Sequence, residues 1–414
     1  MTKDIVVLGA GMVGVCTALA LRQRGHAVVL VDRQAPGRET SYGNAGIIQR
    51  EAVQPYAFPR EWQAILRVAL RQGNDVHYHP GALAHLSPTL MRYWRESAPD
   101  RYASIVTAYS ALIRHCLSEH DRLITLAGAQ DLVRKSGWLQ GYRTAQAFDR
   151  AASEAAAIAR GHELDCKVLD QAGVVATEPA ISGKLAGAIH WRDPWTIADP
   201  GELVTRYAAL FEREGGEFRR GDATTLRQTG AGWTVTTETG PLSAANVVIA
   251  LGPWASNLIQ TLGYRFPLFV KRGYHRHYAA EPMPRLPLLD VERGVMLAPM
   301  QRGLRLTTGA EFALRDAPPT PVQLGRAESY ARELVNLGSP AESQPWLGAR
   351  PCVADMKPIV GKAPRHEGLW FHFGHGHQGF TLGPVTARLL AEVINGEQPY
   401  VDPLPYDPVR FAAM

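Results

Sequence analysis

The stretch that most constrains this chain is its start, "MTKDIVVLGAGMVGVCTALALRQRGHAVVLVD". "DIVVLGA" is short, rich in β-branched residues and closed by glycine, which reads as a buried strand. "GAGMVG" follows as G-x-G-x-x-G. Gly9 permits the tight turn, Gly11 lets backbone approach a pyrophosphate, and Gly14 lets the next helix pack closely on the strand. "VGVCTALALRQRG" reads as that helix, stopped by Gly25. "AVVLVD" is a second strand ending on Asp32, 18 residues beyond Gly14, where an acid reaches ribose hydroxyls. Together these predict a dinucleotide site, with Met12 and Val13 in its turn and Arg33 just past the acid. An export signal or membrane anchor is the competing reading of the same residues. Asp4 cancels Lys3, the glycines interrupt the apolar helix, and Arg22, Arg24 and His26 end it short of the roughly 20 residues a span needs.

With 414 residues, 46% hydrophobic and 20% charged, the composition is that of a globular protein of two closely packed domains. The formal charge of +5 is spread without a Lys/Arg block, so nucleic acid is not an expected partner. Mild attraction to anionic substrates or a membrane surface is compatible with it. Cys16, Cys116, Cys166 and Cys352 form no C-x-x-C pair, which fits a reducing compartment, and a cytoplasmic location is expected. The H-x-H pairs His77/His79, His275/His277 and His375/His377 would each share one face of a strand, but no further ligands at metal spacing accompany them in sequence. No metal is expected.

Beyond Asp32, "RQAPGRETSYGNAGIIQ" is a loop by composition. Residues from about Trp62 to Gly128 read as mainly helical, and "SIVTAYSALIRHCLSEHDRLITLAG" as one amphipathic helix. "GAIHWRD" reads as a strand. "DPGELVTRYAALFEREGG" is a helix capped by Asp199, with Pro200 in its first position and Glu202 completing a capping pattern. A helix is expected from Gln323 to Leu337, and another from Gly383 to Ile394. The expected architecture is an α/β Rossmann-like nucleotide domain (1–60, 140–180, 196–262 and 345–414). It is interleaved with an α+β domain on a mostly antiparallel sheet (61–139, 181–195 and 263–344).

Five segments in order carry a resemblance over nearly the whole chain: the opening βαβ unit, "SYGNAGIIQ", "NVVIALGPWA", "GARPCVADMKPIVG" and "GHGHQGFTLGPVTARLLAEVI". In these the sequence resembles the D-amino-acid oxidase/dehydrogenase superfamily of FAD enzymes, most of all its bacterial D-amino-acid dehydrogenases. The resemblance implies FAD as cofactor. Gly9, Gly11 and Gly14 would cradle its pyrophosphate, and Asp32 its ribose. Ser41, Asn44, Ala45, Gly46 and Ile47 would line the flavin side, Ala223 would offer backbone to adenine, and Gly252 would close a supporting strand. Gly376, His377, Gln378, Gly379, Phe380 and Thr381 would run beneath the ring. There, helix-start N–H groups would stabilise negative charge developing on the pyrimidine edge.

Arg350 is the implied anchor for a substrate carboxylate, a bidentate task that suits a guanidinium. The alternative is a structural arginine paired with Asp355. Tyr274 and His377 are further candidates beside the substrate, read otherwise as a packed strand tyrosine and a loop histidine. Some relatives attach FAD to a cysteine near Cys352, but the spacing here matches poorly. The implied reaction is hydride transfer from the α-carbon of a D-amino acid to flavin, giving an imine. Tyr274, His275, Phe312 and His377 suit a neutral or cyclic substrate such as D-proline, hydroxy-D-proline or D-alanine. No lysine lies between Lys271 and Lys357, where oxygen-using sarcosine oxidases present one. This favours electron transfer to a quinone or other carrier, at the inner face of a membrane or through partner subunits. A glycine- or sarcosine-type amine oxidase and a flavin subunit of a heteromeric dehydrogenase are the competing readings.

Overall fold

The computed structural model describes residues 2–182, 184–230 and 232–411. Its opening strand, Asp4–Leu8, lies inside an eight-stranded sheet. The parallel core of that sheet runs Glu217–Thr229, Ala27–Asp32, Asp4–Leu8, Asn246–Ile249, Leu369–Phe373, with antiparallel strands at both edges. A strand buried on both faces must be apolar at every position, and "IVVL" is. Ile5 and Val7 enter one core cluster, Val6 and Leu8 another. The first of these cores is built by the helices Met12–Arg22, Pro200–Arg213 and Gly379–Asn395.

The opening helix ends at Arg22, followed by Gly25 at φ +84°. Asp199 caps the Pro200 helix by accepting the Glu202 N–H at 3.0 Å. The Glu202 carboxylate instead takes Arg206 at 3.1 Å, so the expected reciprocal capping bond gives way to an i,i+4 ion pair. The last helix begins at Gly379, four residues before expectation, and carries Pro384 within it. Proline cannot donate to the carbonyl four residues back. That carbonyl, on Phe380, takes His120 Nε2 at 2.9 Å. The long amphipathic segment is two helices, Pro99–Ile113 and Cys116–Ala127, broken at Arg114 and His115.

A second, ten-stranded and mostly antiparallel sheet contains the long strand Leu268–Tyr278. Three stretches depart from the expected domain limits. Trp138–Tyr142 and Cys166–Asp170 both pair with Gly187–Trp191 in this second sheet, so 140–180 does not extend the nucleotide layer. Trp346–Val353 pairs along Leu268–Tyr278 from Leu268↔Val353 to His275↔Trp346, which puts Arg350 on the second sheet. Tyr109, Leu112, Cys116 and Leu123, within the 61–139 block, pack into the core of the first sheet. Helical periodicity identifies a buried stripe without saying against which layer it is buried. No described helix is long and apolar enough to cross a membrane.

Candidate active site

A cavity of about 730 Å3 lies between the two sheets and takes its walls from both. At one end are Gly9, Gly11, Met12, Val13, Asp32, Arg33, Ala223 and Gly252. Gly9 adopts φ +109°, and a Cβ there would stand 2.5 Å from the Ala250 carbonyl oxygen. A Cβ on Gly14 would overlap the Gly9 carbonyl, so Gly14 shapes the turn from behind and does not line the cavity. Asp32 accepts the Ala10 N–H at 2.6 Å and the Gln34 N–H at 2.9 Å. Burial nevertheless pushes its carboxyl above the ordinary range. Arg33 pairs with Glu39 and lies 4.6 Å over the Trp254 ring.

The "SYGNAG" loop forms the next wall. Ser41 Oγ accepts the Met12 N–H at 2.9 Å and so caps the opening helix. Asn44 and Ala45 line the cavity, with Asn44 Oδ1 turned onto the Gly46 N–H at 2.8 Å. Gly46, at φ +70° and against the Ile197 carbonyl, lies behind the wall, while Ile47 faces in. The loop is held from the second sheet. Buried Arg305 donates to the Tyr42 carbonyl at 2.9 Å and to His277 Nε2 at 3.0 Å, and His277 Nδ1 donates to Glu342 at 2.7 Å. His275 stacks on Trp346 at 4.8 Å and stays edge-on to His277, with ring centroids 5.3 Å apart.

At the far end one face of a two-stranded ladder looks into the cavity. Its cross-strand pairs are Lys271–Arg350, Gly273–Gly348 and His275–Trp346, and all six residues line the cavity. Arg350 donates to the carbonyls of Gly309 and Thr308 at 3.3 and 3.5 Å. Asp355 is paired with Arg410 at 2.8 Å, which removes it as the partner of Arg350. Among the described residues Arg350 has no carboxylate at ion-pair distance, and burial lowers its pKa. Lys271, also without a carboxylate among the described residues, donates to Tyr93 Oη at 3.2 Å and is lowered by burial too.

Tyr274 requires a correction. It borders the cavity, but its hydroxyl donates to Glu311 at 3.1 Å and accepts the Thr320 N–H at 2.7 Å. Glu311 in turn is the fully buried partner of Arg272 at 2.6 Å. Tyr274 is one residue out of phase with the cavity-facing face, and a strand turns alternate side chains to opposite sides. His377 does line the cavity, its ring 4.5 Å from that of Tyr56. Burial, with Lys271 and Arg350 adding to it, pushes its pKa down to about 3, so it is neutral at pH 7.

Gly376, Gly379 and Phe380 line the cavity, but Gln378 and Thr381 do not. Gln378 Nε2 donates to Gln49 at 2.6 Å, and Thr381 Oγ1 accepts the Gln49 N–H at 3.2 Å. Both therefore brace the helix start from outside. Among the described residues no side chain caps that helix, which leaves its first N–H groups, at the cavity wall, for a ligand. Cys352 is outside the lining, and burial pushes its thiol up, which disfavours the thiolate an attachment would use. The fold also brings Glu311 to His77 and His79, with ligand atoms within 4.8 Å of one another. The Arg272 guanidinium on Glu311 already supplies the positive charge there. Tyr56 and Lys271 were not identified as site residues by sequence reasoning.

The sequence profile described as FAD dependent oxidoreductase (DAO) matches residues 4–393. The chain belongs to this family. Its cofactor is FAD, and the residues present fit that group: a glycine turn with no room for a Cβ, an acid at the next strand end, and an uncapped helix start in the same cavity. A D-amino acid dehydrogenase of Chromohalobacter salexigens is 29% identical over 435 residues, covering 99% of this chain and 100% of that protein. A D-amino-acid oxidase of Bradyrhizobium diazoefficiens is 27% identical, covering 99% of each. Among solved structures, glycine oxidase from Geobacillus kaustophilus superposes with a TM-score of 0.73 at 20% identity, covering 98% of each chain, and shares the fold.

Proposed function

We propose that this family member oxidises the α-amine of a D-amino acid, neutral or cyclic, to the imine, with D-proline, hydroxy-D-proline and D-alanine as the leading substrates. The observation that carries the reading is Arg350: a guanidinium without a carboxylate partner among the described residues, in the cavity that contains the glycine turn. Its planar fork matches a substrate carboxylate. FAD, when bound, supplies the two-electron acceptor. Arg350 fixes the carboxylate, and Tyr56 with His377 forms the adjoining wall. The neutral His377 imidazole is too weak a base to take the ammonium proton, which leaves to solvent so that the amine lone pair is freed; the ring can accept a hydrogen bond from the amine. Such positioning supplies most of the rate enhancement that this chemistry needs. The imine then hydrolyses to a keto acid and ammonia, or stays a cyclic imine.

Electrons pass to a quinone or similar carrier. The helix Trp62–Ala69 supports this, for it leaves Trp62, Ile65, Leu66 and the following Leu70 exposed, with Arg60, Arg67 and Arg71 beside them. Ile65 also lines the cavity. Exposed apolar residues flanked by arginines suit a membrane surface. The second reading is an oxygen-using oxidase. The lysine-free interval that argued against it begins at Lys271, and Lys271 is itself in the cavity wall.

The test is anaerobic mixing of the yellow protein with D- and L-amino acids, prolines included. Bleaching by a D-substrate that persists for minutes in air supports the dehydrogenase. Rapid recolouring with stoichiometric peroxide would make it an oxidase. No bleaching by any amino acid would overturn the proposal.

A further inference from the structure

We propose that Lys271 forms a second binding subsite, which recognises an oxygen atom on the substrate's side chain or ring, a hydroxyl or a carboxylate. The inference rests on the amino-acid reading above; a hydroxyl keeps its neutral substrate class, and a carboxylate widens it to an acidic D-amino acid. Lys271 and Arg350 are direct cross-strand partners on the cavity face, so they form one cationic edge. An α-carboxylate satisfies one fork, and the guanidinium is built for it. It leaves the ammonium beside it.

Lys271 is unusual in its surroundings. Its Nζ is 4.7 Å from the centroid of the Tyr93 ring, 5.6 Å from Phe269 and 5.7 Å from Phe312. An ammonium has three donors, and the one hydrogen bond found for it among the described residues goes to Tyr93 Oη at 3.2 Å. The aromatic rings offset part of the charge through their faces, but rings accept no strong hydrogen bond. Lys271 is half-buried, and a partly desolvated cation with unmet donors is costly unless something completes it. Tyr93 Oη is itself committed, donating to the Tyr56 carbonyl. Lys271 is open to the cavity, so a group that enters there can complete it. Such a group must be a hydrogen-bond acceptor, and it must fit among Phe312, Tyr93 and Phe58, which also line this end. A plain alkyl side chain cannot supply it.

The experiment uses the flavin-loaded protein and matched substrate pairs: cis-4-hydroxy-D-proline against D-proline, and D-glutamate against D-norvaline. The readout is kcat/KM with an artificial electron acceptor, together with the flavin content of each variant. The wild type should favour the oxygen-bearing member of at least one pair by tenfold or more. Lys271→Met should lower that ratio at least tenfold. Lys271→Gln, which keeps a donor without charge, distinguishes the two ligands: it retains most of a hydroxyl preference and loses a carboxylate preference. A ratio unchanged in Lys271→Met overturns the subsite while leaving the amino-acid reading intact. So does an equal rise of KM for both members, which would assign Lys271 to the α-carboxylate, or a change in air reoxidation alone. Failure of every amino acid to reduce wild-type flavin overturns both.

Discussion

Lys271 and Arg350 stand opposite each other on adjacent antiparallel strands and reach into one cavity, neither with a carboxylate partner among the described residues. The pair depends on what lies beside it. Gly273, on the same face as Lys271, is overlaid by the arginine: a Cβ there would stand 2.8 Å from Arg350 Nη2 and 3.1 Å from Cζ. The far end of a side chain can move, so the strand would survive a methyl group while the guanidinium would not keep its place.

Gly273→Ala is therefore expected to raise the KM for the amino acid about tenfold, equivalent to about 1.4 kcal/mol, with a smaller change in the limiting rate. Steady-state kinetics with an artificial acceptor measures this split. An unchanged KM would mean that the position of the Arg350 guanidinium does not govern binding.

Tyr274→Phe should act on stability and not on substrate binding. Its hydroxyl serves Glu311 and the Thr320 N–H, and Glu311 keeps Arg272 when it is lost. One net hydrogen bond and a partly unsatisfied buried group amount to about 1–2 kcal/mol. A lowered denaturant midpoint at unaltered KM is expected. A large KM effect would return the hydroxyl to the substrate site.

Glu51 predicts a pH dependence. Trp138 Nε1 and Gln49 Nε2 both donate to its Oε1 at 2.9 Å, Oε2 has no partner among the described residues, and burial pushes the carboxyl from 4.5 up to about 7. The folded state thus keeps a proton that the unfolded chain releases at lower pH. The stability this contributes is fully present below pH 4.5 and is lost as pH rises through 7. Glu51→Gln does not titrate. Denaturant midpoints from pH 5 to 8 should show the variant gaining on the wild type, approaching about 3 kcal/mol at the upper end. A difference that stays constant across that range would contradict the assignment.

The parts of this site that sequence made legible are those fixed within a short span. Gly9, Gly11, Gly14 and Asp32 belong to one βαβ unit whose glycines have a local steric reason. Arg350 was drawn from a motif of the resemblance, and it does line the cavity. Lys271 was not legible, because it becomes a site residue only through register: the ladder from Leu268↔Val353 to His275↔Trp346 puts it opposite Arg350, across 79 positions of sequence. Tyr274 misled for a related reason. The resemblance placed it beside the substrate, and strand phase turned its hydroxyl to Glu311 and Thr320. The domain limits failed where a strand's partner lay far along the chain, as with Trp138–Tyr142 and Gly187–Trp191. Gln378 and Thr381 were expected beneath the ring, ahead of a helix from Gly383, but they face Gln49, a distinction that needs the helix to begin at Gly379.

The central claim is that Arg350 anchors the carboxylate of an amino acid undergoing oxidation. Rapid anaerobic mixing of wild type and Arg350→Met with the D-amino acid that best bleaches the wild type tests it most directly. Two charge-assisted hydrogen bonds are worth about 3 kcal/mol or more. The half-saturating substrate concentration should therefore rise at least about 100-fold in a variant that keeps its flavin content and spectrum. Half-saturation at the wild-type concentration in that variant would contradict the account.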